Sequence, residues 1–320
     1  MSAMPRLAFL FPGQGSQRVG MGKGVFDQYP AARSIFDRVD RALGRPLSQT
    51  CFEGPPEALR MTATTQPAIL TTSVAVLAAF ASRLPQDWRR SVVCAAGHSL
   101  GEYSALVAAG SLDVVAAAGL VQRRGRYMQE AVADGEGAMA AAMGADLDAV
   151  EAACRDAAEG DILSPANLNA PLQIVVAGTA AAVARLGERA RNHGIRKVRP
   201  LDVSAPFHCA LMAPAEERLK VDLESAVIAA PAFPVIANVD ARSNPDPAAI
   251  RRALQKQVTA PVRWVETILT MRQMGIDALV EIGPGKVLTG LVDKIDPKLR
   301  AYSVEDPESL EKTLADLGLD

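Results

Sequence analysis

The stretch Ser91-Val92-Val93-Cys94-Ala95-Ala96-Gly97-His98-Ser99-Leu100-Gly101-Glu102-Tyr103-Ser104-Ala105-Leu106-Val107-Ala108-Ala109 decides how the chain folds. Ser91 to Ala96 is a short apolar run without alternation, the pattern of a strand buried on both faces of a parallel sheet. Gly97 ends the run, and Ser99 to about Ala109 reads as a helix. A strand that passes into a helix through Gly97-His98-Ser99-Leu100-Gly101 puts the serine on a sharp turn at the carboxyl edge of the sheet. There its hydroxyl stands exposed beside a helix N-terminus. The two glycines permit the tight turn and close packing around the serine.

Working outward, Arg6 to Phe11 is another buried strand, followed by the turn Pro12-Gly13-Gln14-Gly15-Ser16-Gln17 and helical periodicity from about Ala31. A helix over Gln66 to Leu84 precedes the serine strand, and a further helix runs to about Val132. From Gly135 the pattern changes. It becomes strand (Ala138 to Met143), helix (Asp146 to Ala158), two strands (Ile162 to Asn167, Gln173 to Ala177), helix (Thr179 to His193) and strand (Arg196 to Val203). That βαββαβ order is the ferredoxin-like unit. Signals of the first kind then resume: strand Pro234 to Val239, helices Ala248 to Val258 and Val262 to Met274, and strand Ala278 to Ile282 before Gly283-Pro284-Gly285. The expected fold class is therefore α/β. A large α/β-hydrolase-like domain with a parallel sheet, residues 1–132 and 204–320, is interrupted by a small ferredoxin-like subdomain, residues 133–203.

Composition narrows the function. The 320 residues are 49% apolar and 4% aromatic, rich in Ala, Val and Leu, which favours helices packed on a buried sheet over an all-β sandwich. A net charge of -2 with 22% charged residues gives no broad basic field, so no nucleic acid partner is expected. Cys51, Cys94, Cys154 and Cys209 lie far apart, which suggests neither a disulfide framework nor a zinc site and points to a reducing cytoplasm. The N-terminus has no signal-peptide plan, so no export is expected. The uncharged stretch Gln66 to Ser82 is shorter than the ~20 residues of a membrane span and reads as a buried helix. No membrane association is expected.

Ser99 on its elbow is the candidate nucleophile, and a serine hydroxyl needs a base. Three histidines compete for that role. His193 ends a helix in the small subdomain, where a solvated cap is expected. His98 adjoins the nucleophile, and its side chain should point away and line the pocket. His208, in Ser204-Ala205-Pro206-Phe207-His208-Cys209, follows the small subdomain on a loop before a helix, where an α/β sheet presents site residues. It is the candidate base. The tetrahedral intermediate of acyl transfer needs oxyanion donors, and the backbone N–H of Leu100 is one by elbow geometry. The second should come from the glycine turn 11–17, which resembles a dinucleotide fingerprint only in part, because Arg18 stands where the third glycine would be.

Phe11-Pro12-Gly13-Gln14-Gly15-Ser16-Gln17, Thr65-Gln66-Pro67-Ala68, Gly97-His98-Ser99-Leu100-Gly101-Glu102 and Gln122-Arg123-Arg124-Gly125 occur in this order. Pro206-Phe207-His208, Lys256-Gln257 before Pro261-Val262-Arg263-Trp264, and Glu281-Ile282-Gly283-Pro284-Gly285 follow. Over nearly its whole length the chain resembles the malonyl-CoA:acyl carrier protein transacylase family, to which acyltransferase domains of fatty-acid and polyketide synthases are similar. The resemblance implies Ser99 as nucleophile, His208 as base, and Gln14 and Leu100 as backbone oxyanion donors. It implies Arg124, His98, Gln66 and Phe207 at the substrate, with Arg124 binding the malonyl carboxylate and Phe207 of the malonyl-selecting form. It also implies that Gln257 orients the histidine, a role that a side-chain carbonyl can fill by accepting an imidazole N–H.

The implied partners are malonyl-CoA and an acyl carrier protein, with a monomer expected. No metal and no cofactor is expected, coenzyme A thioester being a substrate. Lys286, Arg196, Lys197 and Arg199 are candidates to meet an acidic carrier. The elbow alone is shared with serine esterases and thioesterases, and a malonyl-loading subunit of a malonate decarboxylase or polyketide assembly remains a further reading.

Overall fold

Alternate side chains of Leu7-Ala8-Phe9-Leu10-Phe11 enter different cores. Leu7, Phe9 and Phe11 join Phe36, Phe80 and Trp88, whereas Ala8 and Leu10 join Trp264, Ile268 and Leu288. A strand apolar on both faces thus sits between two layers of helices. The computed structural model describes residues 5–203 and 205–319; residues 1–4, 204 and 320, and with them the expected domain limits at 1, 204 and 320, lie outside that description.

Among the described residues the strands are β1 (Leu7–Phe11), β2 (Val92–Gly97), β3 (Gly137–Met143), β4 (Leu163–Ala170), β5 (Gln173–Thr179), β6 (Lys197–Pro200), β7 (Val235–Ile236), β8 (Ala278–Ile282) and β9 (Ala301–Val304). Five form a parallel sheet in the order β7-β2-β1-β8-β9. Because all five run the same way, the loops after β1, β2, β7 and β8 meet at one edge, where α/β sheets bind ligands. The helix Thr62–Ala81 lies in the core beneath them. It is long and apolar enough to cross a membrane, yet 89% of its apolar window is buried inside the protein.

The other four strands form an antiparallel sheet in the order β4-β5-β3-β6. Ala140, Ala142, Ile174 and Val176 face a separate core with Val150, Cys154, Val183 and Leu186 from the helices Leu147–Ala158 and Ala180–Arg189. Met139, Val175 and Ala177, on the opposite face, join the main core. The register of β4 shifts at Pro165/Asn167, and the loop residue Val262 docks there: its N–H donates to Ala166 O and its carbonyl accepts from Leu168 N, both at 2.9 Å. The second sheet is thereby stitched to the loop that leads into the helix Trp264–Gln273.

The expected strand Pro234 to Val239 shortens to two residues, because Ala237 leaves the ladder to bond Arg242 O. The helix expected after the His208 loop is Ala213–Ser225, whereas strand β9 was not legible as an element. β9 is four residues long and only Val304 is buried in it, which leaves little apolar pattern to read.

Candidate active site

The elbow is built from two missing side chains. A Cβ on Gly97 would lie 1.8 Å from the carbonyl carbon of Gly101, and one on Gly101 would lie 2.1 Å from the carbonyl oxygen of Phe11. The turn after β2 therefore presses on its own helix and on the end of β1, as glycine alone allows. Between them Ser99 is held at φ +52°, a left-handed conformation that a serine adopts only when its surroundings impose it.

Those surroundings are hydrogen bonds. Ser99 N–H donates to Asn238 Oδ1 at 2.7 Å, Asn238 Nδ2 donates to Gly97 O at 2.8 Å, and Gln257 Nε2 donates to Ser99 O at 3.0 Å. His208, also left-handed at φ +62°, brings Nε2 to 2.7 Å from Ser99 Oγ. Its Nδ1 lies 2.8 Å from the main-chain carbonyl oxygen of Gln257. A carbonyl can only accept, so Nδ1 carries the proton and Nε2 offers its lone pair to the serine hydroxyl. Burial, and next the positive charge of Arg124, hold the imidazole pKa down at about 3, so His208 is neutral near pH 7.

This geometry corrects one expectation. The acceptor that fixes the histidine tautomer is the backbone of Gln257, not its side chain. The Gln257 amide is occupied elsewhere: Nε2 also donates to Glu102 Oε2 at 2.7 Å, and Oε1 accepts from Arg124 Nη2 at 3.0 Å. The helix Pro247–Gln257 ends at this residue, and a carbonyl left free by helix termination is what reaches the histidine.

Arg124 rises from the helix Val114–Glu130 and is only 1% exposed. Nη1 donates to Gln66 Oε1 at 2.8 Å, and Nη2 donates to Ser99 Oγ at 3.1 Å as well as to Gln257. All three acceptors are uncharged oxygens. Burial pulls the guanidinium pKa below its usual value. A cavity of about 640 Å³ opens over this group, lined by Gln14, Gln66, His98, Ser99, Leu100, Arg124, Phe207 and His208 among others. Every residue singled out as a site candidate except Gln257 thus lines one cavity, and Gln257 sits directly behind it.

His98 points away from Ser99, with Nε2 2.8 Å from Asn169 Oδ1 and its ring against Trp264. His193 lies elsewhere, 3.1 Å from Asp156 beside the C-cap Gly194. Gly13 lets the turn after β1 approach the elbow: a Cβ there would meet His98 O at 2.4 Å. Among the described residues no cluster of three or more His, Cys, Asp or Glu side chains is arranged to hold a metal ion. Of the docking candidates, Lys286 is exposed next to the cavity-lining Val287, Lys197 and Arg199 are exposed on the edge strand β6, and Arg196 is exposed just before it.

Three residues of the site were missed in the sequence. Asn238 and Glu102 hold the elbow from behind, and Asn169 orients His98. Asn238 gave no signal of its own, because the sequence places it inside the expected strand Pro234 to Val239, which in the structure ends at Ile236.

A family model described as acyl transferase domain matches residues 8–300. The chain belongs to the acyl transferase domain family. This acyltransferase is 46% identical over 316 residues to the malonyl CoA-acyl carrier protein transacylase of Bacillus subtilis, covering 98% of each chain. Among solved structures, the malonyl CoA-acyl carrier protein transacylase of Coxiella burnetii superposes on the acyltransferase with a TM-score of 0.94 at 40% identity, covering 99% of each chain. A malonyl-transacylase in complex with a type II PKS acyl-carrier protein matches with a TM-score of 0.93 at 43% identity, covering 97% of this chain and 99% of that one.

Proposed function

We propose that this acyltransferase moves a malonyl group from coenzyme A to the phosphopantetheine thiol of an acyl carrier protein through an ester on Ser99. The observation that carries the reading is Arg124. It is a buried cation without an anionic hydrogen-bond partner, facing a cavity, with Nη2 3.1 Å from the nucleophile hydroxyl. An acyl group esterified there whose far end is a carboxylate completes the pair, bidentate in the favourable case. An acetyl group leaves the cation unpaired, a loss of about 3 kcal/mol or more in a buried site.

The cycle has two matching halves. His208 Nε2 takes the Ser99 proton as Oγ attacks the thioester carbonyl, and the backbone N–H groups of Leu100 and Gln14 receive the oxyanion. Collapse breaks the C–S bond, and His208 returns the proton to the departing coenzyme A thiolate. The carrier thiol then attacks the ester, gives its proton to His208, and Ser99 leaves with that proton restored. Each half exchanges one acyl bond for another and conserves electrons, so no metal and no cofactor is invoked. Gln66 and Phe207 shape the acyl end of the cavity, and His98 its wall.

The finer description of the fold belongs to this reading too. The order β4-β5-β3-β6 supports a ferredoxin-like subdomain at 133–203, set into an α/β-hydrolase-like domain of 1–132 and 204–320. The four cysteines are buried and unpaired, which supports a cytoplasmic setting. We take the working unit to be a monomer without nucleic acid or membrane partners.

Transfer to the carrier is tested by isolating the malonyl adduct and adding carrier with or without its phosphopantetheine arm. Loss of label from Ser99 and its gain by the armed carrier alone is expected. Release as free malonate at one rate under both conditions would overturn the proposal.

A further inference from the structure

Ser99 and His208 are joined not only by their own hydrogen bond but by a path through the protein behind them. Ser99 N–H donates to Asn238 Oδ1 at 2.7 Å, and Asn238 N–H donates to Glu102 Oε2 at 2.9 Å. That same oxygen accepts from Gln257 Nε2 at 2.7 Å. Gln257 O accepts from His208 Nδ1 at 2.8 Å, and His208 Nε2 closes the circuit on Ser99 Oγ at 2.7 Å. Asn238, Glu102, Gln257 and His208 are all at most 3% exposed, so water offers no substitute for any of these bonds.

We propose that Asn238 is a positioning residue, which clamps the nucleophile elbow and, through Glu102 and Gln257, ties the orientation of the base to that of the nucleophile. The inference rests on Ser99 and His208 acting as nucleophile and base. Its physical basis is the strain at Ser99. A serine at φ +52° returns to ordinary backbone unless something holds both sides of it, and Asn238 does so with one amide, accepting from Ser99 N and donating to Gly97 O at 2.8 Å. The Asn238 backbone is itself anchored at both ends, by Glu102 and by Arg263 N, which donates to Asn238 O at 3.0 Å. The residue bonds neither Arg124 nor Gln66, so its loss should leave acyl recognition in place and disturb only alignment.

The test uses a small serine-directed sulfonyl fluoride, whose labelling of Ser99 requires no malonyl thioester, alongside steady-state kinetics. Asn238→Ala should slow labelling and kcat together by roughly 100-fold, the scale of a misplaced reacting group, while KM for malonyl-CoA stays within about threefold. Asn238→Asp keeps the acceptor for Ser99 N and loses the donor to Gly97 O, and should fall between, at about tenfold. One oxygen of Glu102 serves both donors and a glutamine offers the same oxygen. Glu102→Gln should therefore stay within about threefold of the parent, with Glu102→Leu at least about tenfold slower than Glu102→Gln. Folded Asn238→Ala that labels at the parental rate, or that loses turnover through KM alone, would overturn the proposal. Should that variant not fold, equal labelling by Glu102→Gln and Glu102→Leu would overturn it instead. Because labelling is independent of the acyl donor, a parent enzyme that labels normally but refuses malonyl-CoA contradicts the malonyl reading and leaves this one standing.

Discussion

The main-chain carbonyl of Gln257 accepts the Nδ1 proton of His208 at 2.8 Å, and this bond gives the imidazole its tautomer without placing a charge beside it. A carboxylate in that position would raise the histidine pKa and stabilise imidazolium. Here burial and Arg124 act the other way, and the ring stays neutral with its lone pair turned to Ser99.

The first prediction follows from linkage. His208 is held at about 3 in the folded protein, below its ordinary 6.5, so the unfolded chain binds a proton that the folded one refuses. Stability from this source is complete above pH 6.5 and is lost as pH falls toward 3. Glu102 has the opposite sign. Burial lifts its pKa to about 7 from 4.5, so its contribution is lost as pH rises from 4.5 through 7. Denaturation midpoints should show the advantage of the parent over His208→Gln shrinking from pH 6.5 to 4.5, and its advantage over Glu102→Gln shrinking from pH 5 to 7.5. Differences constant across those ranges would contradict the two shifts.

Backbone strain at Ser99 gives the second. Ser99 sits at φ +52°, where glycine is at ease and alanine is not. Ser99→Gly should be more stable than Ser99→Ala by about 1 kcal/mol, although both remove the hydroxyl. Equal unfolding free energies would mean that the turn is not strained.

The third concerns selectivity. Gln66 Oε1 accepts from Arg124 Nη1 at 2.8 Å inside the cavity. Gln66→Glu places a built-in carboxylate on that cation, where it competes with the carboxylate of the substrate. Acylation by malonyl-CoA should fall by roughly 10- to 100-fold while acylation by acetyl-CoA holds steady or rises, so the ratio of the two adducts by mass should collapse. An unchanged ratio would separate Arg124 from acyl recognition.

What the sequence revealed and what it hid divide along physical lines. The elbow was legible because its causes are local: Gly97 and Gly101 are demanded by contacts within a few residues and with the end of β1. His208 was legible by elimination, since the chain holds three histidines and one of them stands on a loop at the sheet's carboxyl edge. Asn238 was not, because its partners Ser99 and Glu102 lie 139 and 136 residues away, and no periodicity encodes such a bond. The atom by which Gln257 serves His208 was hidden for a related reason. A residue type suggests its side chain, whereas the end of the helix Pro247–Gln257 supplied a backbone carbonyl.

The central claim is that Ser99 takes the acyl group and Arg124 chooses it. Intact mass after exposure to malonyl-CoA or acetyl-CoA, for the parent, Ser99→Ala and Arg124→Ala, tests it most directly. The account predicts a malonyl adduct in the parent, none in Ser99→Ala, little acetyl adduct, and malonyl acylation slowed about 100-fold in Arg124→Ala, the equivalent of about 3 kcal/mol. A malonyl adduct that survives in Ser99→Ala, or an Arg124→Ala variant that still prefers malonyl over acetyl as the parent does, would contradict it.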